Sequence, residues 1–222
     1  MELLTENGKM KKTNKANPTY RIFNWGIPAW RSKLLKMIVC HNADKCGRDG
    51  GCYAQQGSYN WPGTINAYEQ RLELSLTDQF IGEMVKAIAV KKKTSDKRGQ
   101  QLVIRIHDSG DFYDKAYWLK WRAVIEEYLD VKFYAYTKMV ALFKSMILPD
   151  NFRPIYSEGG KQDKLINHDT DRHCRIFGNL LDLVAAGYTD VGLDDLITAT
   201  TDATKLGIVY HGYKSKEWST AS

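Results

Sequence analysis

The chain has 222 residues, with 32 Lys and Arg against 26 Asp and Glu for a formal net charge of +6, four cysteines and 43% hydrophobic residues. That length and apolar content support one sizeable core, and one domain is expected. No apolar run approaches the roughly 20 residues of a membrane-crossing helix, and Met1–Asn17 lacks the hydrophobic centre of a signal peptide, so a cytoplasmic protein without a membrane partner is expected.

Residues 1–17 read as a flexible tail and 18–222 as a single α/β domain. Lysines gather at Lys9, Lys11, Lys12 and Lys15, and again at Lys91, Lys92, Lys93, Lys97 and Arg98. Both runs read first as solvated surface, the second at a helix C-terminus where positive charge suits the macrodipole. Nucleic acid stays open as a partner of this basic surface, although no zinc-finger pair, helix-turn-helix or RNA-binding signature accompanies it.

In chain order, Lys36–Cys40 (KMIVC) reads as a short buried strand, and a Gly- and Asp-rich loop follows it. From Ile65 to Lys93 the pattern is helical with a break near Leu76-Thr77-Asp78, after which Phe80, Ile81, Met84, Val85, Ile88 and Ala89 share one face. Leu102–His107 (LVIRIH) reads as a strand running into Asp108-Ser109-Gly110-Asp111. Asp114 can cap the next helix, with Tyr117, Trp118, Trp121, Val124, Ile125 and Tyr128 as its buried stripe. Val131–Tyr136 is the next strand, Val140–Ile147 a short helix, and Arg153–Ser157 a further strand. Weaker signals mark a strand at Arg175–Phe177, helices at Leu180–Ala186 and Asp194–Ala199, and a last strand at Gly207–Tyr210. This alternation predicts an α/β protein, either a partial (βα) barrel or an open, mostly parallel sheet with flanking helices. Right-handed crossovers then bring the Cys40–Cys52, Asp108–Asp111, Thr137-Lys138 and Ser157–Gly160 loops to one edge, where parallel folds place their ligand sites.

Cys40, Cys46 and Cys52 form an even C-x5-C-x5-C ladder. In a reducing compartment clustered thiols bind metal or react more often than they pair, and soft thiolates select zinc or iron–sulfur clusters. Three thiolates hold a [4Fe-4S] cluster with one iron open. Lys45 and Arg48 can offset its negative charge, and Gly47, Gly50 and Gly51 give backbone amides access to sulfur. Zinc is the rival, with Cys174, His41 or His173 as a fourth ligand. Cys174 alone reads as a small buried hydrophobe. His107, Asp108 and Lys138 are candidate catalytic residues, with a structural role equally open for His107 and lower weight for His211. His168, Asp169, Asp171 and His173 raise the question of a second metal site, for which turn chemistry is the preferred explanation.

The segments Cys40…Cys46…Cys52-Tyr53-Ala54, Ile104–Tyr113 (IRIHDSGDFY), Phe133–Lys138 (FYAYTK) and Ile208–Gly212 (IVYHG) closely resemble the phage family catalogued as gene product eighty-eight, over about Pro18 to Gly212. That resemblance implies a phage-encoded protein working in the host cytoplasm, and no chemistry. The arrangement of a cysteine loop after one strand and an acidic Gly loop after the next also looks like the core of radical S-adenosylmethionine enzymes. This second likeness implies that Cys40, Cys46 and Cys52 hold a [4Fe-4S] cluster and that Ser109, Gly110 and Asp111 match the segment meeting the cofactor's amino group. The family spacing is C-x3-C-x2-C, narrower than here. The leading expectation is an iron–sulfur enzyme of radical-SAM-like type with an unknown substrate. Its alternatives are a non-enzymatic redox or structural cluster protein and a zinc-stabilised nucleic-acid-binding module.

Overall fold

A computed structural model describes residues 2–44, 46, 52–192 and 194–210. Seven strands form one sheet: β1 (Tyr20–Trp25), β2 (Gln101–Ile106), β3 (Lys132–Thr137), β4 (Phe152–Ser157), β5 (His173–Phe177), β6 (Thr189–Asp190) and β7 (Lys205–Val209). Their order is β1-β2-β3-β4-β5-β7-β6, and every neighbouring pair is parallel. The sheet curls into a half-barrel. Helices α1 (Gly8–Ala16), α2 (Pro62–Leu76), α3 (Phe80–Asp96), α4 (Lys115–Glu127), α5 (Val140–Lys144), α6 (Leu180–Ala185) and α7 (Asp195–Thr200) flank it. Among the described residues no helix is long and apolar enough to cross a membrane.

Both faces of the sheet are covered, which is why its strands read as nearly continuous apolar runs. Alternation along β2 sends Leu102, Ile104 and Ile106 to the outer core with Phe80, Met84, Ile88, Trp118 and Trp121 from α3 and α4. Val103 faces inward with Ile22, Tyr134, Ile155, Cys174 and Leu206, where Met10 of α1 and Leu196 and Ala199 of α7 close the space. Asp114 caps α4 as expected, its carboxylate accepting the Tyr117 amide at 2.7 Å. The predicted stripe is buried from Tyr117 to Ile125, and burying each such side chain contributes about 1.5–3 kcal/mol.

Lys36–Cys40, expected as a strand, is not one. Ile38 makes only an isolated bridge to Arg31 and is 39% exposed, and Lys36 has a φ of 58°. The first strand is Tyr20–Trp25, all six of whose residues pair with β2. A five-residue apolar run does not by itself separate a strand from a turn that dips one side chain into the core, and here that side chain is Val39. The expected N-terminal tail is also structured. Asn7 caps α1 by accepting the Met10 amide, Leu4 and Met10 are fully buried, and Thr5 bridges Asn24 on the β1 edge. Met10 and Thr13 are the helix's buried residues, and with Met10 its one large apolar side chain the segment carries too little hydrophobicity to read as a packed helix. The two-residue strand β6 went unpredicted because so short a run carries no period.

Candidate functional site

The loop after β2 is assembled by close backbone approaches. Gly110 has a φ of 83°, and a Cβ there would collide with the Ile27 side chain. A Cβ on Gly26 would collide with the Asp108 carboxylate. These two glycines let the β1 and β2 ends lie against each other, with the Ile27 amide donating to the Ser109 carbonyl at 3.1 Å.

Within that loop the acidic residues are already engaged. Asp111 is buried and accepts from the Thr137 hydroxyl at 2.7 Å, the Phe112 amide at 2.8 Å and the Lys138 amide at 2.9 Å, so it ties the β2 loop to the end of β3. Burial pushes its carboxyl above the usual range, and those donors oppose the rise. Asp108 is held by the Tyr68 hydroxyl at 3.2 Å from each oxygen; burial raises it as well, against Arg105 and Arg71. The Ser109 hydroxyl is different: it is buried and makes no hydrogen bond among the described residues. Of the three residues expected to meet a cofactor, Asp111 works as a clamp and Ser109 carries the spare polar atom.

His107 turns into the core between the β2 loop and α4. It has a φ of 67°, is buried, packs its ring against Phe112 with centroids 4.6 Å apart, and meets the Tyr117 hydroxyl at 3.0 Å through Nε2. Burial, reinforced by Arg105, lowers its pKa from 6.5 to about 3, so the imidazole is neutral. The surroundings favour the structural reading of this histidine. Because the folded value lies below the unfolded one, its contribution to stability is fully present above pH 6.5 and is lost as the pH falls toward 3, at up to about 1.4 kcal/mol per pH unit. His107→Asn, chosen because Asn tolerates positive φ, is expected to be less stable at neutral pH and to lose stability less steeply below pH 6.5. Urea unfolding at stepped pH reads both, and an equally steep decline in the variant would clear His107 of the effect.

The cysteine segment is pinned at both ends to this edge. The Cys40 sulfur accepts the Trp30 amide at 3.3 Å, Ala43 bridges Gly160, and Lys161 donates to the Asn42 and His41 carbonyls. Past Cys52, the half-exposed Tyr53 places its hydroxyl between the Arg105 guanidinium at 3.1 Å and the Asp108 carbonyl, to which it donates. Lys45, Gly47, Arg48, Gly50 and Gly51, and likewise His211 and Gly212, lie outside the described residues. Asp111 acts on Cys40 and Cys46, and Lys138 on Cys46 and Cys52. Burial pushes Cys40 well up, with Asp111 adding to it; burial raises Cys46 against the Lys138 ammonium; and burial raises Cys52 to about 11, with Cys46 adding to it. Thiols held this way are protonated at neutral pH and are poor nucleophiles.

The thiols share a neighbourhood without meeting at a point. Their sulfurs are absent from the metal-like groupings of the described residues, whose ligand atoms all lie within 4.8 Å of one another. A single tetrahedral zinc with Zn–S bonds of about 2.3 Å would need thiolates about 3.8 Å apart. Cys174 packs in the inner core as the lone-cysteine reading anticipated, raised to about 12 by burial. His41 is exposed, and His173 belongs to a different group with Glu158. Lys138, the third catalytic candidate, donates to the Ser157 and Glu158 carbonyls at 2.8 and 2.6 Å, with Gly160 packed against its stem.

Sequence reasoning missed the polar group inside the half-barrel. Arg105 bonds Asp195 at 3.1 Å and lies over the Tyr136 ring at 5.3 Å, and Lys9 reaches Asp195 at 3.4 Å. The available signal was an arginine inside the apolar run Leu102–Ile106, a charge that a doubly covered strand accepts only when paired. Also missed was a cleft of about 570 Å³ lined by Trp30, Arg31, Lys33, Ala54, Tyr59 and Glu69 among others. Its walls come from the segments flanking the cysteines, since Trp30 donates to Cys40 and Ala54 is two residues past Cys52. A family model described as gene product 88 matches residues 1–221. The comparisons with curated proteins and with solved structures return no match.

Proposed function

The chain belongs to the gene product 88 family, and we propose that it is an iron–sulfur protein in which Cys40, Cys46 and Cys52 hold a [4Fe-4S] cluster with one iron open. The observation that carries this reading is three half-buried thiols from one short segment at the C-terminal edge of a parallel sheet, with the Lys138 ammonium acting on Cys46 and Cys52. A cluster is a larger body than a single zinc ion and keeps its thiolates further apart, which suits sulfurs that share a neighbourhood without converging. Metal binding also accounts for thiols whose burial disfavours the free anion, because coordination deprotonates them outright.

When bound, such a cluster supplies one-electron chemistry and an iron corner for an amino-acid-like chelator such as S-adenosylmethionine. The protein's share is positional. Lys138 offsets negative charge on the thiolate side, Asp111 fixes the Lys138 backbone, and the unpartnered Ser109 hydroxyl faces no competing bond. The adjoining cleft, with Arg31 and Lys33 in its wall, suits a substrate bearing negative charge. Electron paramagnetic resonance of the anaerobically reduced protein tests the enzymatic part: adding S-adenosylmethionine is expected to shift the cluster signal. An unchanged spectrum would leave a cluster of redox or structural use.

A further inference from the structure

On the sheet face opposite the inward Cys174, the end of β4 and the start of β5 bring together three side chains that nothing above employs. We propose that Glu158, His168 and His173 form a second metal site, for a single divalent transition ion of the zinc class, independent of the cysteines. Glu158 Oε1 lies 3.6 Å from His168 Nε2 and 3.7 Å from His173 Nε2, and one ligand atom from each residue lies within 4.8 Å of the others. With bonds of about 2.0–2.2 Å, an ion at the centre of a tetrahedron needs ligand atoms about 3.4 Å apart; the two carboxylate–imidazole gaps are within a few tenths of an ångström of that, and the two imidazoles, within 4.8 Å of each other, need to close by no more than about 1.4 Å. Two imidazoles and a carboxylate are a borderline donor set that zinc and its neighbours accept and that calcium or magnesium does not favour.

The surrounding bonds orient the group for metal. His173 is fully buried, and its Nδ1 lies 2.9 Å from the Asp171 carbonyl. A carbonyl only accepts, so Nδ1 carries the proton and Nε2 presents its lone pair toward Glu158 and the Tyr188 hydroxyl at 3.1 Å. A histidine held through its other nitrogen by a backbone carbonyl is the usual outer support of a metal ligand. Arg175 donates to Glu158 Oε2 at 2.6 Å, which fixes the carboxylate, while Oε1 takes only the long 3.4 Å bond from the Tyr188 hydroxyl and faces both imidazoles. His168 is 44% exposed on its side chain, providing an entry path and a solvent-facing corner where water completes the coordination.

The turn explanation preferred from the sequence holds for the neighbouring acids: Asp171 accepts the Asn167 amide and pairs with Lys144, while the Asp169 amide donates to the Asn167 side chain. It does not account for the two histidines, whose rings meet at 4.8 Å over the Glu158 carboxylate supplied by another strand.

Cobalt(II), a coloured stand-in for zinc, is the probe, titrated into the full chain as wild type, Cys40→Ala, His168→Ala and Glu158→Gln, with circular dichroism confirming the fold. Wild type and Cys40→Ala are expected to bind one cobalt with ligand-field absorption and no thiolate charge-transfer band. His168→Ala and Glu158→Gln are expected to bind that ion at least about 100-fold more weakly, since loss of a ligand costs no less than loss of an outer-shell support. The proposal is overturned if the variants bind as wild type does, or if every bound cobalt shows the thiolate band. Because the cysteine variant is an arm of the titration, failure here is distinct from failure of the cluster proposal.

Discussion

Protein purified without oxygen is expected to carry about four iron and four acid-labile sulfide per chain, and Cys40→Ala, Cys46→Ala and Cys52→Ala are each expected to lose most of both. The effect should be large because each cysteine would hold one of three irons, and a two-thiolate loop leaves a second iron open to water and oxygen. Cys174→Ala, in the inner core, is the control: it should keep full iron content and cost stability only, at the modest level of a small buried side chain. Metal and sulfide analysis with visible absorption before and after dithionite reads the series. Well-folded wild type lacking both elements defeats the cluster proposal, and one zinc per chain in its place would favour the structural module.

Asp111→Ala is expected to be the most destabilising single change at the edge, at about 3 kcal/mol or more. It strands the Thr137 hydroxyl and the Phe112 and Lys138 amides in a buried setting, and leaving such donors unpaired costs about 1–3 kcal/mol each, less than additively within one cluster. Asp111→Asn keeps one accepting oxygen of the same shape and should lose about 1 kcal/mol. The midpoint of denaturant unfolding separates the two. Iron content should follow the same order, because the Lys138 backbone is positioned by this carboxylate. Equal stability of both variants would show that the clamp is not what holds the β2 loop to β3.

Much of this architecture is readable from local pattern. The apolar runs at Leu102–Ile106 and Val131–Tyr136, the stripe from Tyr117 to Ile125 and the Asp114 cap all lie within a few residues of their causes, and each element forms where its pattern points. Tyr20–Trp25 escaped because polar Arg21 and Asn24 interrupt its apolar run, and burial on both faces becomes evident only once β2 lies beside it. Met10 escaped because one buried methionine makes no period. For the site, the chain announced the cysteines and the Asp108–Asp111 loop, while the roles within that loop came out redistributed. His107 turned into the core beneath α4, and Asp111 spent its oxygens on its own neighbours.

Residue order and periodicity alone therefore determined the α/β alternation, the parallel sheet and the clustering of thiols in one short segment, because each depends on neighbours a turn or a pleat away. Tertiary structure decided which side chains meet: Asp111 with Thr137 and Lys138, Tyr53 with Arg105, and Glu158 with His168 and His173. Those meetings follow from strand order and from the register that sets Tyr156 beside His173. Register across a parallel sheet is chosen by packing of the whole core on both faces, and no local stretch of sequence carries that sum.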